Sequence, residues 1–280
     1  MRKTKIICTI GPASGSEEML SRMCRHGMNV ARLNFSHGTH EDHGEKIALI
    51  KKVREKLSLP IAIMLDTKGP EYRIKTFKDK KITLSAGDEF TFTTEDVEGD
   101  GTRVSVTYKN LAEDLDVGDR ILLANGLVIF EVISLTKTEA KCKVIAGGEI
   151  SDRKSMNFPN KTLRQEYLSE ADKSDLLFGI ENGIDFVAAS FVSCEADIRA
   201  VREFLDANGG EEIDIIAKIE NRAGVDNIEE ICRVADGIMV ARGDLGVEIP
   251  LMEVPTVQKY LIKITARSLS WQSRRRSLPL

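Results

Sequence analysis

The sequence lacks both the long apolar runs of a membrane protein and the excess of basic charge that favours nucleic acid. No stretch approaches the roughly 18 uninterrupted apolar residues that a membrane span needs. The 40 Lys and Arg are balanced by 44 Asp and Glu, which gives a formal net charge of −4 at pH 7. A chain without a bulk positive field does not attract a polyanion over long range. We therefore expect neither a membrane nor a nucleic acid as partner.

Paired cysteines and a secretory leader are also missing. The first apolar run, residues 6–10, is too short for a signal peptide core. The cysteines show no CxxC spacing, and their odd, dispersed pattern favours reduced thiols in the cytoplasm over a disulfide framework. They are Cys8, Cys24, Cys142, Cys194 and Cys232. With 42% hydrophobic and 30% charged residues, the composition is that of a globular protein with a real core.

Short apolar runs alternate with amphipathic segments in both the first and the last part of the chain. This alternation predicts a parallel sheet of βα units whose strands are covered on both faces. The predicted strands are residues 5–10, 30–35, 61–65, 186–190, 214–218 and 237–240. The predicted helices are residues 16–25, 40–56, 169–182, 197–208 and 224–234, with another from residue 252 onward.

The middle of the chain has a different texture. From Gly69-Pro70 to about Asn160, short alternating runs are punctuated by Gly-Asp turns, which predicts a small all-β barrel. The runs are residues 81–84, 89–93, 102–106, 120–123, 128–133 and 140–144. We place this lid at 70–166, within a barrel domain of 1–69 and 167–262, followed by a basic tail at 263–280.

The lengths fit one fold class. Removing the 97 residues of the lid leaves 280 − 97 = 183 residues, whereas a full eight-unit α/β barrel takes about 250 residues. We therefore predict an α/β protein with an incomplete TIM (β/α)8-type barrel of about six units and an inserted all-β barrel domain.

Polar residues follow the second and third predicted strands. Arg32 is a planar donor suited to phosphate or carboxylate, and Asn34 and Ser36, two apart, would face the same way on a strand. Asp66 and Thr67 supply further oxygens at the next strand end. Ligand sites gather at the carboxyl ends of parallel strands. The alternatives are a strand end that runs into a polar turn and, for the second segment, a domain hinge with solvated charges.

Two later strand ends carry a similar signal. Lys218 and Glu220 share a strand face, and a carboxylate on Mg²⁺ beside an ammonium suits phosphoryl transfer. Asp244 could be a second Mg²⁺ carboxylate, and Gly243 would let the backbone approach a ligand closely. The alternatives are a Lys–Glu pair that closes the barrel mouth and a tight Gly-Asp turn. Taken together, the strand ends predict a metal-dependent phosphoryl transfer.

Several of these segments resemble the pyruvate kinase family. They are residues 8–14 (CTIGPAS), 28–38 (MNVARLNFSHG), 65–71 (LDTKGPE), 185–192 (DFVAASFV), 217–221 (AKIEN) and 238–250 (IMVARGDLGVEIP). The resemblance covers residues 1 to about 262. It implies a TIM barrel with a β-barrel lid and phosphoryl transfer from phosphoenolpyruvate to ADP in glycolysis. Another barrel enzyme of phosphoenolpyruvate or pyruvate is the runner-up, against which the lid argues.

The resemblance also implies a role for each matching residue. Arg32 would hold the substrate phosphate, Lys218 would stabilise the phosphoryl group in flight, and the backbone at Gly243 and Asp244 would receive the substrate carboxylate. The residues implied for the nucleotide are Asn34, Phe35, Ser36, His37, Arg73 and Lys154. Those implied for K⁺ are Asn34, Ser36, Asp66 and Thr67, and those implied for Mg²⁺ are Glu220 and Asp244.

The chain departs from the family pattern in two places. The lid carries Ala124-Asn125-Gly126-Leu127 where the family has Asp-Asp-Gly-Leu, which weakens a metal role for the lid. After Ile262 the resemblance ends, before the family's threonine linked to enolate protonation and its C-terminal domain. We expect this tail to reflect a frameshift or gene-calling truncation, the alternative being a genuine short paralogue.

This expectation bears on activity and assembly. An open barrel would expose strand edges, so we expect low solubility and very low activity. The alternative function is an impaired fragment that only binds nucleotide or a partner. The family is homotetrameric, but such a fragment would lack much of the contact surface.

Overall fold

The structure, a computed structural model, describes residues 4–124, 126–159, 161, 164 and 166–276, with side chains as far as Arg267. The chain first builds two βα units and a third strand. These elements are β1 Ile6–Thr9, α1 Glu17–Arg25, β2 Met28–Asn34, α2 His40–Leu57 and β3 Ala62–Asp66. Polar caps start the helices: Ser16 Oγ accepts a hydrogen bond from Met19 N at 3.2 Å, and Thr39 and Asp42 form a capping box on α2.

The middle and last parts of the chain follow. The middle elements are β4 Tyr72–Arg73, β5 Lys81–Leu84, β6 Glu89–Thr93, β7 Arg103–Ser105, α3 Leu111–Asp114, β8 Arg120–Leu123, β9 Val128–Leu135, β10 Glu139–Ala146, β11 Gly148–Ser151 and β12 Ser155–Asn157. The last are α4 Glu170–Glu181, β13 Phe186–Ala189, α5 Glu195–Ala207, β14 Asp214–Ile219, α6 Arg222–Asp226, α7 Ile228–Val234, β15 Gly237–Val240, α8 Arg242–Glu248 and α9 Val254–Arg276.

The βα units form one parallel sheet in the order β1-β2-β3-β13-β14-β15. Alternate residues of a strand point to opposite faces, and β3 illustrates this. Ile63 and Leu65 pack in the core shared with the helices, whereas Met64 packs with Val30 and Ala188 in a smaller cluster on the inner face. This is the TIM-type barrel architecture, and the prediction of six units with an inserted β domain is confirmed.

The first strand is less covered than predicted. Ile6 is 38% exposed and Ile7 47% exposed, whereas the prediction had both faces of every strand buried. The reason is position: β1 stands at one end of the sheet order. Among the described strands it pairs with β2 alone. The central strands β3, β13 and β14 are buried as predicted.

The lid is a closed mixed sheet around its own core. Seven strands run in the order β4-β12-β8-β9-β10-β6-β7, and the two end strands meet where Ile74 bridges Val106. Lys75 N donates to Ser105 O at 2.8 Å at this seam. The interior is filled by Phe90, Phe92 and Phe130, each at most 1% exposed. A sheet that closes on itself leaves no unpaired edge.

Two helical predictions need correction. The single helix predicted at 224–234 is two helices, because α6 ends at Asp226 and α7 begins at Ile228. The stretch from residue 263 continues α9 as far as Arg276. Leu261 and Ile264 continue an apolar face that packs on the core, which the sequence interpretation missed. Residues 277–280 of the predicted tail lie outside the described residues. No helix in the described part of the chain is long and apolar enough to cross a membrane.

Candidate active site

A cleft of about 1490 Å³ lies between the lid and the carboxyl ends of the parallel strands. Most of the predicted site residues line it, although they come from five different segments of the chain. Those that line the cleft are Arg32, Asn34, Ser36, His37, Asp66, Arg73, Lys154, Lys218, Glu220 and Asp244. Of the other predicted residues, Phe35, Thr67 and Gly243 are not among the lining residues. The fold thus brings these charged groups together at the carboxyl ends of the strands, as the sequence predicted.

The floor of the cleft is a buried ion cluster centred on Lys218. Its Nζ lies 3.1 Å from Asp66 Oδ1 and 3.0 Å from Glu220 Oε1, and all three residues are at most 8% exposed. Burial opposes the ammonium charge, but Glu220 and Asp66 outweigh it and raise the pKa of Lys218. The ammonium therefore stays charged in a site that little water reaches.

Arg32 enters the same cluster from the neighbouring strand β2. Its Nε donates to Asp66 Oδ2 at 2.6 Å, and its Nη1 donates to Thr9 Oγ1 at 2.7 Å. The Asp66 carboxylate is therefore shared by two cations, Arg32 and Lys218, which hold their positions relative to each other. The two cations balance the carboxylates of Asp66 and Glu220, and the planar Arg32 guanidinium, the more exposed of the two cations, can meet an anionic ligand.

Glu220 is the residue best suited to hold a divalent cation. Its Oε2 accepts from Phe191 N at 2.6 Å, whereas its buried Oε1 has no hydrogen-bond partner among the described residues. Lys218 Nζ approaches that oxygen as an ion pair, outside hydrogen-bond angles. Burial raises the pKa of Glu220, and the charge of Asp244 adds to the rise. Phe191 has φ +56°, a left-handed conformation that is costly for a non-glycine residue.

The donor set of Glu220 and Asp244 fits Mg²⁺ rather than a softer metal. Among the described residues, no group of three or more His, Cys, Asp or Glu is arranged to hold a metal by itself. Magnesium does not need such a cage, because it is held by one or two carboxylates plus waters and substrate oxygens. Asp244 lies exposed in the first turn of α8, on the rim of the cleft. An orphaned carboxylate oxygen beside a second carboxylate is consistent with that mode.

The segment after β2 differs in detail from the prediction. Asn34 ends the strand, and Ser36 lies in the turn beyond it, so the two do not share a strand face. They are brought together because Ser36 N donates to Asn34 Oδ1 at 3.0 Å. Phe35 is 7% exposed and stacks on His43 with ring centroids 3.9 Å apart. Its side chain therefore belongs to the core, and only its backbone could serve a nucleotide.

Thr67 and Gly243 do not line the cleft, although the residues next to them, Asp66 and Asp244, do. Thr67 is buried, and its Oγ1 accepts from Ser190 N at 3.0 Å. Gly243 faces open space, with nothing within 4 Å of where a Cβ would be. The close approach predicted for Gly243 is to a ligand, and it stays a prediction.

The lid supplies the opposite wall of the cleft. Arg73 is held by Glu71 and donates from Nη1 to Arg153 O at 2.5 Å, whereas the Lys154 side chain is exposed. Of the departure at 124–127, Asn125 lies outside the described residues. Ala124 and Leu127 line the cleft, and the Leu127 side chain is 75% exposed.

The lid also touches α8 directly. Asn157 Nδ2 donates to Glu248 Oε1 at 2.9 Å, and Gly126 lies against Val247, whose Cγ1 is 3.6 Å from an ideal Cβ position. Burial raises the pKa of Glu248. The same short helix therefore carries Asp244 at its start and a lid contact at its end.

Sequence reasoning missed Ser190 and Tyr167. Ser190 follows β13 and is 1% exposed, and Lys218 Nζ donates to its Oγ at 2.7 Å. Asp66 and Lys218 were predicted because they lie at the ends of buried strands. Ser190 has the same kind of position and could have been predicted in the same way. Tyr167 OH donates to Ser190 O at 2.6 Å. Nothing in the sequence around Tyr167 indicates that contact.

Comparison with known proteins gives one consistent match. The family described as "Pyruvate kinase, barrel domain" matches residues 1–269, seven residues beyond where the resemblance was predicted to end. A curated pyruvate kinase from Clostridium perfringens is 52% identical over 264 residues, which are 94% of this chain and 56% of that protein. One from Staphylococcus haemolyticus is 50% identical over 265 residues, which are 94% of this chain and 45% of that protein.

A solved structure agrees with these relatives. The crystal structure of a pyruvate kinase from Cryptosporidium parvum superposes with a TM-score of 0.90 at 39% identity, covering 94% of this chain and 55% of that one. The chain thus spans about half the length of the curated relatives it matches.

Proposed function

Because this chain belongs to the pyruvate kinase family, we propose that it transfers the phosphoryl group of phosphoenolpyruvate to ADP, giving pyruvate and ATP. The relatives are about twice as long as this chain. We therefore propose, for this chain by itself, the activity named for the longer relatives. The observation that carries it is the buried Lys218 ammonium, held between Asp66 and Glu220 on the floor of a cleft that a lid covers. A cytoplasmic location accords with this glycolytic step and with five reduced thiols.

Two cations would act on the phosphoryl group. Arg32 offers a planar fork, already oriented by Thr9 and Asp66, to bind the phosphate of phosphoenolpyruvate. Lys218 would stabilise the negative charge that the phosphoryl group carries during transfer. Because burial and paired carboxylates hold this ammonium in place before any substrate arrives, little reorganisation is needed at the moment of reaction.

The metal would be held by Glu220 and Asp244. When bound, Mg²⁺ supplies Lewis-acid stabilisation of substrate oxygens. Glu220 is prepared for it because one oxygen is fixed by Phe191 N while the other lacks a hydrogen bond. The remaining substrate contact, that of the carboxylate with the backbone at Gly243 and Asp244, accords with the start of a helix there.

A monovalent cation would be held by Asn34, Ser36, Asp66 and Thr67. The oxygens are hard, which suits K⁺. Asp66 is the one carboxylate of this set, and it is also bonded by Arg32, Lys218 and Ser190. The nucleotide would lie toward the lid, near Arg73, Lys154 and the turn at residues 34–37.

Turnover tests the proposal. We expect the chain to form ATP from phosphoenolpyruvate and ADP only when both Mg²⁺ and K⁺ are present, measured by coupling pyruvate to lactate dehydrogenase. ATP formation that is independent of either cation, or absent with both, would contradict it.

Metal binding gives a second readout that does not need activity. Mn²⁺ replaces Mg²⁺ as a probe and is followed by electron paramagnetic resonance without substrates. We expect Glu220→Gln to weaken Mn²⁺ binding by at least about tenfold, since it removes the charged ligand. Glu229→Gln, at an exposed position of α7, is the matched control and should leave binding unchanged.

A further inference from the structure

Ser190 stands where three parts of the molecule meet. It follows β13, which lies between β3 and β14 in the sheet, so it has Asp66 on one side and Lys218 on the other. Lys218 Nζ donates to Ser190 Oγ at 2.7 Å, closer than its contacts with Asp66 at 3.1 Å and Glu220 at 3.0 Å. The side chain is 1% exposed. A buried hydroxyl at this position must satisfy its bonds within the protein.

The hydroxyl has one proton, and the geometry shows where it goes. Ser190 Oγ lies 2.7 Å from Thr67 O and 3.2 Å from Asp66 Oδ1. A hydroxyl can accept from Lys218 and donate to one of these oxygens at a time, and the shorter contact is the carbonyl of Thr67. The chain of donation therefore runs from the Lys218 ammonium through Ser190 to the backbone of Thr67.

Thr67 leads directly into the lid. Two residues later, Gly69 has φ +70°, and an ideal Cβ on it would lie 2.8 Å from Ser190 O. Only glycine fits this close approach in a left-handed conformation. Gly69 N also donates to the buried Asp172 at 3.0 Å. The exit of the chain into the lid is thus packed against Ser190.

The return from the lid is tied to the same residue. Tyr167 OH donates to Ser190 O at 2.6 Å. Burial raises the pKa of Tyr167, so the hydroxyl keeps its proton and remains a donor. The backbone after Ser190 is held as well, because Phe191 N donates to Glu220 at 2.6 Å.

We propose that Ser190 is a positioning residue that couples the two connections of the lid to the Lys218 ammonium. A movement of the lid changes the exit at Gly69 and the return at Tyr167, and both changes reach Lys218 through one serine. The catalytic consequence rests on the proposed function, since it assumes that Lys218 acts on the phosphoryl group. The mechanical coupling does not depend on that function.

Hydrogen exchange of the intact chain, without substrates, tests the coupling. We expect Ser190→Ala to speed exchange in the exit connection, residues 66–72, by about tenfold, the factor that corresponds to the lost hydroxyl bond to Thr67 O. The return connection, residues 166–170, should change less, because Tyr167 bonds the Ser190 carbonyl, which the variant keeps. Tyr167→Phe removes only the bond to Ser190 O, so exchange should rise chiefly in residues 166–170. Turnover of Ser190→Ala should fall about tenfold to a hundredfold through kcat, with a smaller change in KM, because a misplaced group acts mainly in the transition state.

The matched control is Ser105→Ala. Ser105 is also buried, and its Oγ accepts from Val97 N at 2.7 Å and lies near two backbone carbonyls, Glu95 O at 2.6 Å and Val97 O at 2.9 Å, to one of which it donates. It lies inside the lid. Ser105→Ala should leave hydrogen exchange unchanged in both connections of the lid. Ser190→Ala that exchanges like wild type in residues 66–72, or Ser105→Ala that reproduces its effect, would overturn the proposal. If Ser190→Ala does not fold, a Tyr167→Phe variant with unchanged exchange and kcat overturns it equally. A wild-type chain without turnover refutes the proposed function but leaves the exchange result to decide the coupling.

Discussion

The floor of the cleft and its lid wall hold charge in different ways. On the floor, Lys218 lies at contact distance from the buried carboxylates of Asp66 and Glu220, and Arg32 also pairs with Asp66. On the lid wall, the Lys154 side chain is exposed to solvent. Buried charges are screened little and hold fixed positions, whereas exposed charges are screened by salt and are mobile. The charges of the floor are therefore fixed without a ligand, whereas the charge of Lys154 is screened by solvent.

The largest effect should come from removing the central cation of the floor. We expect Lys218→Met to lower turnover by about 10²- to 10³-fold, since it removes preorganised stabilisation of the transferring group. It should also lower the free energy of unfolding by about 3–5 kcal/mol, because Asp66 and Glu220 are left buried without their shared cation. Turnover is measured by the coupled assay and stability by thermal melting.

The double variant Lys218→Met/Glu220→Gln separates the two effects. Neutralising Glu220 relieves the uncompensated charge, so stability should recover while turnover stays low. Turnover within tenfold of wild type in either variant would refute the role of Lys218, and with it the idea that the floor is prepared in advance.

The floor was also the part that could be predicted from sequence. A polar residue at the end of a buried strand is a local signal in the sequence. This signal led to the prediction of Arg32, Asp66, Lys218 and Glu220 as site residues. Parallel strands then bring such residues to one edge whatever their distance along the chain. Ser190 carries the same signal and was overlooked. The burial of the Phe35 side chain was not predicted, because the strand ends at Asn34 and the next side chain turns into the core.

The lid was predictable in kind but not in its contacts. Alternating runs and Gly-Asp turns located β5, β6 and β8 at their observed bounds, because period-two patterning is local. The two-residue strand β4 and the seam between Ile74 and Val106 are too short to leave a pattern. The bond between Asn157 and Glu248 joins residues 91 positions apart, and no periodicity encodes such a pair.

That bond offers the next test, at the boundary between floor and lid. We expect Glu248→Ala to raise the KM for ADP and the rate of limited proteolysis within the lid, each by about tenfold, since a partly buried hydrogen bond to a carboxylate is lost. Glu248→Gln keeps a carbonyl oxygen to accept from Asn157, so it should stay close to wild type. Equal behaviour of the two variants would mean that the bond does not hold the lid.

A smaller effect is expected from the lid wall itself. Lys154→Ala should raise the KM for ADP about two- to fivefold, the range of an exposed ion pair, and leave the melting temperature unchanged. The effect should shrink at high salt, unlike that of Lys218→Met. Lys143→Ala, at an exposed lid position on β10 that is not among the cleft residues, is the control. If the effect of Lys154→Ala did not depend on salt, the Lys154 charge would be shielded from solvent like the charges of the floor, which would contradict the prediction.

The smallest expected effect concerns His43, which contacts the turn after β2 through Phe35 and His37. Its Nε2 lies 2.8 Å from His37 O and must carry a proton to donate to that carbonyl, while its buried Nδ1 has no partner among the described residues. Burial lowers the pKa of His43 below its ordinary value of 6.5. The charged groups that act on it are Asp42 and Lys46 from its own helix and Asp175 from α4.

The sign of the pH effect follows from that lowered pKa. Below pH 6.5 the unfolded chain binds a proton at His43 before the folded chain does, so stability is lost as the pH falls through this window. Asp175, whose pKa is raised by burial, acts in the opposite direction in both wild type and variant. We expect His43→Gln, which keeps an N–H donor for His37 O but cannot titrate, to lose less stability than wild type between pH 6.5 and 5, measured by urea unfolding. An unchanged slope would mean that His43 takes up its proton at the same pH in the folded and the unfolded chain, and that burial does not keep the folded imidazole neutral.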